Sequence, residues 1–157
     1  LDVSNNQLYI IDLSPLASCT NLRLLNLRNN GLSIGIDLSP LASCANLEEI
    51  DLCCNELTSI GLSPLASCTN LKALALFSNK LTSIDLSPLT SCESLRRLDL
   101  NGNRLNTIDL LPLWNLSLEI LSISINDDLD SVSCAQVCDF IDEHPSCDVP
   151  TGWGCDR

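Results

Sequence analysis

The sequence predicts an α/β repeat: a solenoid whose short parallel strands stack into one concave sheet, with short helical turns on the convex side and a helical cap at the C-terminal end. Three observations predict it. The same apolar frame restarts at Leu22, Leu47, Leu71 and Leu95. A second shared segment, built on Ser-Pro-Leu, follows each frame. After residue 130 the pattern gives way to a single amphipathic run. A unit of about 24 residues that cannot bury its own apolar face must stack on copies of itself.

The frame reads LRLLNLRNNGL, LEEIDLCCNEL, LKALALFSNKL and LRRLDLNGNRL. Its apolar residues alternate, as a strand with one buried face requires, so Leu25 and Leu27, Ile50 and Leu52, Leu74 and Leu76, and Leu98 and Leu100 point inward. The opening LDVSNNQL is the tail of an earlier copy, with Val3, Asn6 and Leu8 in register with Leu27, Asn30 and Leu32, and a degenerate last copy, LEILSISINDDL, starts at Leu118. Asn6, Asn30, Asn55, Asn79, Asn103 and Asn126 hold one fixed place in this frame. A side-chain amide there can satisfy backbone groups that the bend leaves unpaired, which is a structural role. These residues resemble the leucine-rich-repeat family, whose pattern LxxLxLxxNxL they match over about 1–129. The resemblance implies a right-handed solenoid and a protein-binding scaffold.

The second half of each unit reads IDLSPLASC, IDLSPLASC, IGLSPLASC and IDLSPLTSC. Ser before Pro signals a helix start, with Ser14, Ser39, Ser63 and Ser87 as N-caps and the proline at the first helical position. Leu and Cys three residues apart, as in Leu65 and Cys68, fall on one face of the short turn that follows. Residues 1–130 thus hold a partial first copy, four full copies and one degenerate copy, and 131–157 a cap helix and a Cys-containing loop. Lacking an initiator methionine and opening in mid-pattern, the chain is read as a piece of a longer protein.

The ten cysteines divide by position. Cys19, Cys44, Cys68 and Cys92 share one column, and Leu116 takes that column in the next copy. A leucine replacing a thiol marks the column as apolar core, so these four are expected to be buried and unpaired; a disulfide ladder between coils is the alternative. Ser133 is expected to cap a helix from Cys134 to Glu143, with Cys134, Val137, Cys138 and Ile141 on its buried face. Cys134, Cys138, Cys147 and Cys155 can form two bridges, and their spacing lacks the paired CxxC of zinc knuckles. The compartment stays open: core thiols lean toward a reducing cytosol and a four-Cys cap toward secretion, with the balance set toward the intracellular side. The single sequon, Asn115-Leu116-Ser117, adds little.

Composition excludes several functions. A net charge of −12 repels phosphates, so nucleic acid is not an expected partner. No apolar run reaches the roughly 18–20 residues that span a bilayer, and the first residues carry no basic or apolar signal segment. From Glu119 onward there are nine Asp or Glu against one Arg, an acidic end suited to solvation or to a basic partner. Asn126, Asp127, Asp128 and Asp130 lack the glycine and distant glutamate of a calcium loop, so neither metal nor cofactor is expected. His144 is the only histidine, and no nucleophile or phosphate-loop motif accompanies it. Asp51 and Asp99 lie two repeats apart, about 10 Å at the strand spacing, without a pocket that would argue hydrolysis. Catalysis is not expected.

Binding is. The outward positions of the strands differ from copy to copy while the core columns agree, which favours recognition over a spacer or adhesion stalk. A regulatory array attached to an effector domain elsewhere in a longer chain is a further reading. The expected contacts are Arg28, Asp51, Cys53, Phe77, Arg97 and Asp99, with Phe77 and Arg28 as anchors and the charged residues setting complementarity. Six strands make a surface of ~25–30 Å, the scale of an interface of about 800 Å² per partner. The chain is expected to act as a monomer toward one protein partner.

Overall fold

The computed structural model describes residues 1–145 apart from 34, 127 and 128, and within its one α-helix the side chains from 135 onward. Five strands of three residues each, β1 (Leu24–Asn26), β2 (Glu49–Asp51), β3 (Ala73–Ala75), β4 (Arg97–Asp99) and β5 (Ile120–Ser122), form one parallel sheet in sequence order. A parallel bridge between Asp2 and Asn26 adds a sixth rung at the N-terminal edge. Register is fixed copy to copy: Leu25, Ile50, Leu74, Leu98 and Leu121 lie side by side, at no more than 1% exposure. A one-residue slip would turn that apolar row to solvent.

Opposite the sheet run 3₁₀ turns at Ser14–Ser18, Ser39–Ser43, Ser63–Ser67, Ser87–Ser91 and Leu111–Leu113. With three residues per turn, positions i and i+3 eclipse, so Leu65 stacks with Cys68 and Leu89 with Cys92, all fully buried. The serines do not cap these turns with their side chains. The proline after each has no N–H, and the next donor, that of Leu16 in the first copy, is bonded to Leu13 O at 2.8 Å. What needs an acceptor is the serine's own N–H. Asp12, Asp37 and Asp85 supply it through Oδ1 at 2.8–2.9 Å, and Asp109 does so for Leu111 at 3.0 Å.

The asparagine column runs through the interior. Asn55 donates to Leu27 O of the preceding coil and Leu52 O of its own, while its Oδ1 accepts from Leu32 N. Asn79, Asn103 and Asn126 repeat the arrangement. The residue before each of these, and before Asn6 and Asn30, sits at φ between 53° and 62°: Asn5, Asn29, Cys54, Ser78, Gly102 and Ile125. That left-handed residue turns the chain out of the sheet toward the convex side.

One apolar core extends from Leu13 to Phe140. Cys44, Cys68 and Cys92 are buried free thiols, each donating to a leucine carbonyl of the preceding coil at 3.4–3.5 Å. Cys19 departs from the expected burial. It is free but exposed, because among the described residues no earlier coil covers it and its thiol reaches only Pro15 O of its own turn. The α-helix, α1 (Ser131–Glu143), begins before the expected Ser133 cap. It closes the far end with Val137 and Phe140, at 1% and 0% exposure, while Cys138 and Ile141 are half-buried. Gln136 accepts from Leu110 N at 3.3 Å, tying the helix to the last coil. Cys138 is disulfide-bonded. Cys147, Cys155 and the side chain of Cys134 lie outside the described residues, as do Asp127 and Asp128 of the calcium reading.

Candidate functional site

The three central strands carry the most differentiated part of the concave face. Alternation turns residues 73, 75 and 77 outward on β3 and its continuation, and these are Ala, Ala and Phe. Two alanines between larger neighbours leave a depression of about 240 Å³, floored by Ala73 and Ala75 and walled by Asp51, Phe77, Arg97 and Asp99. The pairing Asp51↔Ala75↔Asp99 sets one carboxylate on each side of the same alanine. Each uses Oδ1 to accept the backbone N–H two residues on, from Cys53 at 2.9 Å and Asn101 at 3.0 Å. Half-burial holds the Asp99 carboxyl above its usual range, with Asp51 pushing the same way and the Asn101 N–H and Arg97 opposing.

Arg28 stacks its guanidinium on Phe77, 5.2 Å from the ring centre. The pair is a cation–π contact made over two coils, crossing the one that carries Cys53. Here one expected contact is corrected. Cys53 does fall in the outward row, but its thiol is fully buried, lies against Asp51, and has its pKa driven strongly upward by burial first and by Asp51 next. It offers no surface to a partner. The other expected contacts occupy the concave face: Arg28 and Arg97 exposed, Asp51, Phe77 and Asp99 half-buried.

Outside this depression the side-chain clusters support the frame. Glu48 bridges Arg23 and Lys72 of the flanking coils, and these cations hold its carboxyl below the usual range, Lys72 most strongly. Arg23, Glu48 and Lys72 alternate in sign down one column of the repeat, a signal of this pairing that the sequence itself carries. His144 is committed to the cap: its ring nitrogens lie 3.0 Å from Phe140 O and 2.8 Å from Trp114 O, and it stacks on Phe140. Among the described residues no group of three metal-ligating side chains is assembled, and no helix is long and apolar enough to cross a membrane.

The geometry is that of a repeat solenoid, and comparison with known families agrees. The family profile described as "Leucine rich repeat" matches residues 45–105, and a two-copy profile of leucine-rich repeats matches 20–67. The chain is a leucine-rich-repeat protein. Solved leucine-rich-repeat structures resemble it over most of its length. An internalin C2 from Listeria monocytogenes is 28% identical with a TM-score of 0.64, covering 93% of this chain and 57% of its own. A leucine-rich-repeat protein of Leptospira interrogans is 21% identical, TM-score 0.69, over 96% of this chain and 42% of that one. The leucine-rich-repeat domain of APL1B is 22% identical, TM-score 0.71, over 79% and 37%. This leucine-rich-repeat chain therefore spans between about a third and three-fifths of the proteins it matches. Comparison with curated protein sequences gives no match. Leucine-rich repeats are typically non-enzymatic modules that mediate protein–protein interaction.

Proposed function

We propose that this chain binds a protein partner on its concave sheet, centred on β3, with Arg28, Asp51, Phe77, Arg97 and Asp99 in contact. The observation that carries the reading is the depression over Ala73 and Ala75: the core columns are nearly uniform along the array, whereas only the central concave rows combine small floor residues, an aromatic wall and mixed charge. Interfaces concentrate their energy in such central aromatic and arginine anchors. The Arg28–Phe77 pair pre-orders both side chains, which lowers the ordering cost on binding. The test is affinity capture of a partner followed by titration of Phe77→Ala. A loss of roughly thirtyfold or more in affinity, about 2 kcal/mol, with an unchanged melting temperature supports the site. Unchanged affinity moves it away from the sheet centre.

The disulfide at Cys138 also favours an oxidising compartment over the reducing one toward which the core thiols leaned. Thiol counting by mass spectrometry with and without reductant decides between them.

A further inference from the structure

The depression over Ala75 has an electrostatic peculiarity. Asp51 and Asp99 face each other across it, two strands or about 10 Å apart, yet among the described residues neither forms an ion pair. Each has Oδ1 engaged by a backbone N–H, and the Cys53 thiol also hydrogen-bonds the Asp51 carboxylate, so among the described residues the second oxygen of Asp99 and the remaining lone pairs of Asp51 are what an external donor can use. The nearby cations are placed elsewhere. Arg28 lies on the Phe77 ring, and Arg97 stands one alternation away from the carboxylate row, at the end of the depression nearest Glu49. With Glu49 included, three carboxylates face two guanidiniums; Ala73 lies between Glu49 and Arg97, and the two groups that flank Ala75 are both negative.

Resting on the concave reading above, we propose that the depression receives a lysine or arginine side chain of the protein partner. Its aliphatic stem packs on Ala73 and Ala75, and its cationic head sits between Asp51 and Asp99. The alanine floor suits this occupant because long basic side chains cover apolar surface with their methylenes while the head stays among polar groups. A cation midway between two carboxylates about 10 Å apart is within about 5 Å of both, close enough for strong interaction where burial lowers the local dielectric. The chain's net charge of −12 steers a basic partner toward it, and the pair of aspartates gives such a partner a specific seat.

The substitutions that test this leave the frame intact. Asn26 occupies the same row on β1 and accepts Arg28 N through its own Oδ1 at 3.1 Å, so Asp51→Asn and Asp99→Asn keep the local turn bond. The probes are blocked tripeptides with a central Lys, Arg, Glu or norleucine, titrated into the full chain labelled with ¹⁵N and followed by NMR. The Lys and Arg probes are expected to shift the Ala73, Ala75 and Cys53 amides saturably and to bind about tenfold tighter than norleucine, with each aspartate substitution removing most of that preference. Equal binding of norleucine, preferential binding of Glu, or basic-probe shifts spread over the acidic surface and indifferent to Asp51→Asn and Asp99→Asn overturns the proposal. If the probes fail while Phe77→Ala still weakens the captured partner, the basic side chain falls and the concave site stands; if neither responds, both fall.

Discussion

Replacing Asn79 by alanine separates the interior ladder from a merely polar surface column. Asn79 is 7% exposed. Its amide donates to Leu52 O and Leu76 O, both at 3.0 Å, and its Oδ1 accepts from Leu57 N at 3.1 Å. Each carbonyl keeps a second asparagine donor, Asn55 for Leu52 and Asn103 for Leu76. The Leu57 N–H has no such reserve and is left as an orphaned buried donor, at a cost of about 1–3 kcal/mol. Two lost bonds at about 1 kcal/mol each bring the expected loss to roughly 3–5 kcal/mol, a large share of an ordinary domain's stability. Asn6→Ala is the internal control. Asn6 is exposed and donates only to Val3 O and Ser4 O of its own coil, so its removal should cost under about 1 kcal/mol. Urea unfolding, followed by circular dichroism and by tryptophan fluorescence, measures both; coincident transitions with unchanged m-values establish that the midpoints compare like with like. An Asn79→Ala loss no larger than that of Asn6→Ala would refute the ladder argument.

Other substitutions probe the two ends and the electrostatics. Ile125 is a β-branched residue at φ 56° and 63% exposed, so Ile125→Asn should stabilise by about 1 kcal/mol in the same urea assay; a loss would mean that its side chain has a packing role. Phe140→Ala, which removes the buried ring between Trp114 and His144, should cost about 3–5 kcal/mol and lower the melting temperature, and a near-neutral result would dismiss α1 as the closure of the core. Asp2, Asp12, Asp37, Asp85 and Glu48 have folded pKa values below the usual range, the aspartates through hydrogen bonds from serines, Glu48 through Lys72 and Arg23. Their stabilisation is complete above about pH 4–5 and lost as pH falls through the folded values, so the melting temperature should drop in that window. Asp99 runs the other way: its raised pKa makes the ionised form unfavourable at neutral pH, so Asp99→Asn should hold or gain stability at pH 7, and a drop there would contradict the desolvation of its carboxylate.

Much of the fold was legible because each column of the repeat does one physical job. Alternation gave the buried rows, and Leu116 standing where Cys92 stands in the preceding copy identified the thiol column as core. The misses fall where a job depends on a neighbour. Cys19 carries the same residue type as Cys44, but the covering carbonyl comes from the coil before, which for Cys44 is Leu16 O. Ser-Pro reads as a cap and its proline, yet Leu16 N–H is already taken by Leu13 O, so the cap role passes back two residues to aspartate. Phe140, absent from the expected face of α1, is found only through its ring contacts with Trp114 and His144. The left-handed column was readable in Asn5, Asn29 and Gly102, residues that tolerate positive φ, but Cys54, Ser78 and Ile125 mask it.

For the concave site, period-two alternation says which way a side chain faces and nothing about what then covers it. Cys53 and Phe77 hold equivalent positions on successive coils, and the pattern treats them alike. Size decides otherwise: the ring on one side of Cys53 and the long guanidinium stem on the other meet across it, and the thiol ends fully buried. That same meeting determines the charge balance of the depression. Arg28 lies close to the ring, and Asp51 and Asp99 face the alanine floor with no cation in ion-pair range among the described residues. The alanines and the aspartates were visible as letters; that neither aspartate makes an ion pair among the described residues follows from where the folded array puts the two guanidiniums, Arg28 on the Phe77 ring and Arg97 one alternation away from the carboxylate row. Only the folded array puts those groups within reach of one another, and the outcome gives the sheet a place for a cation from outside.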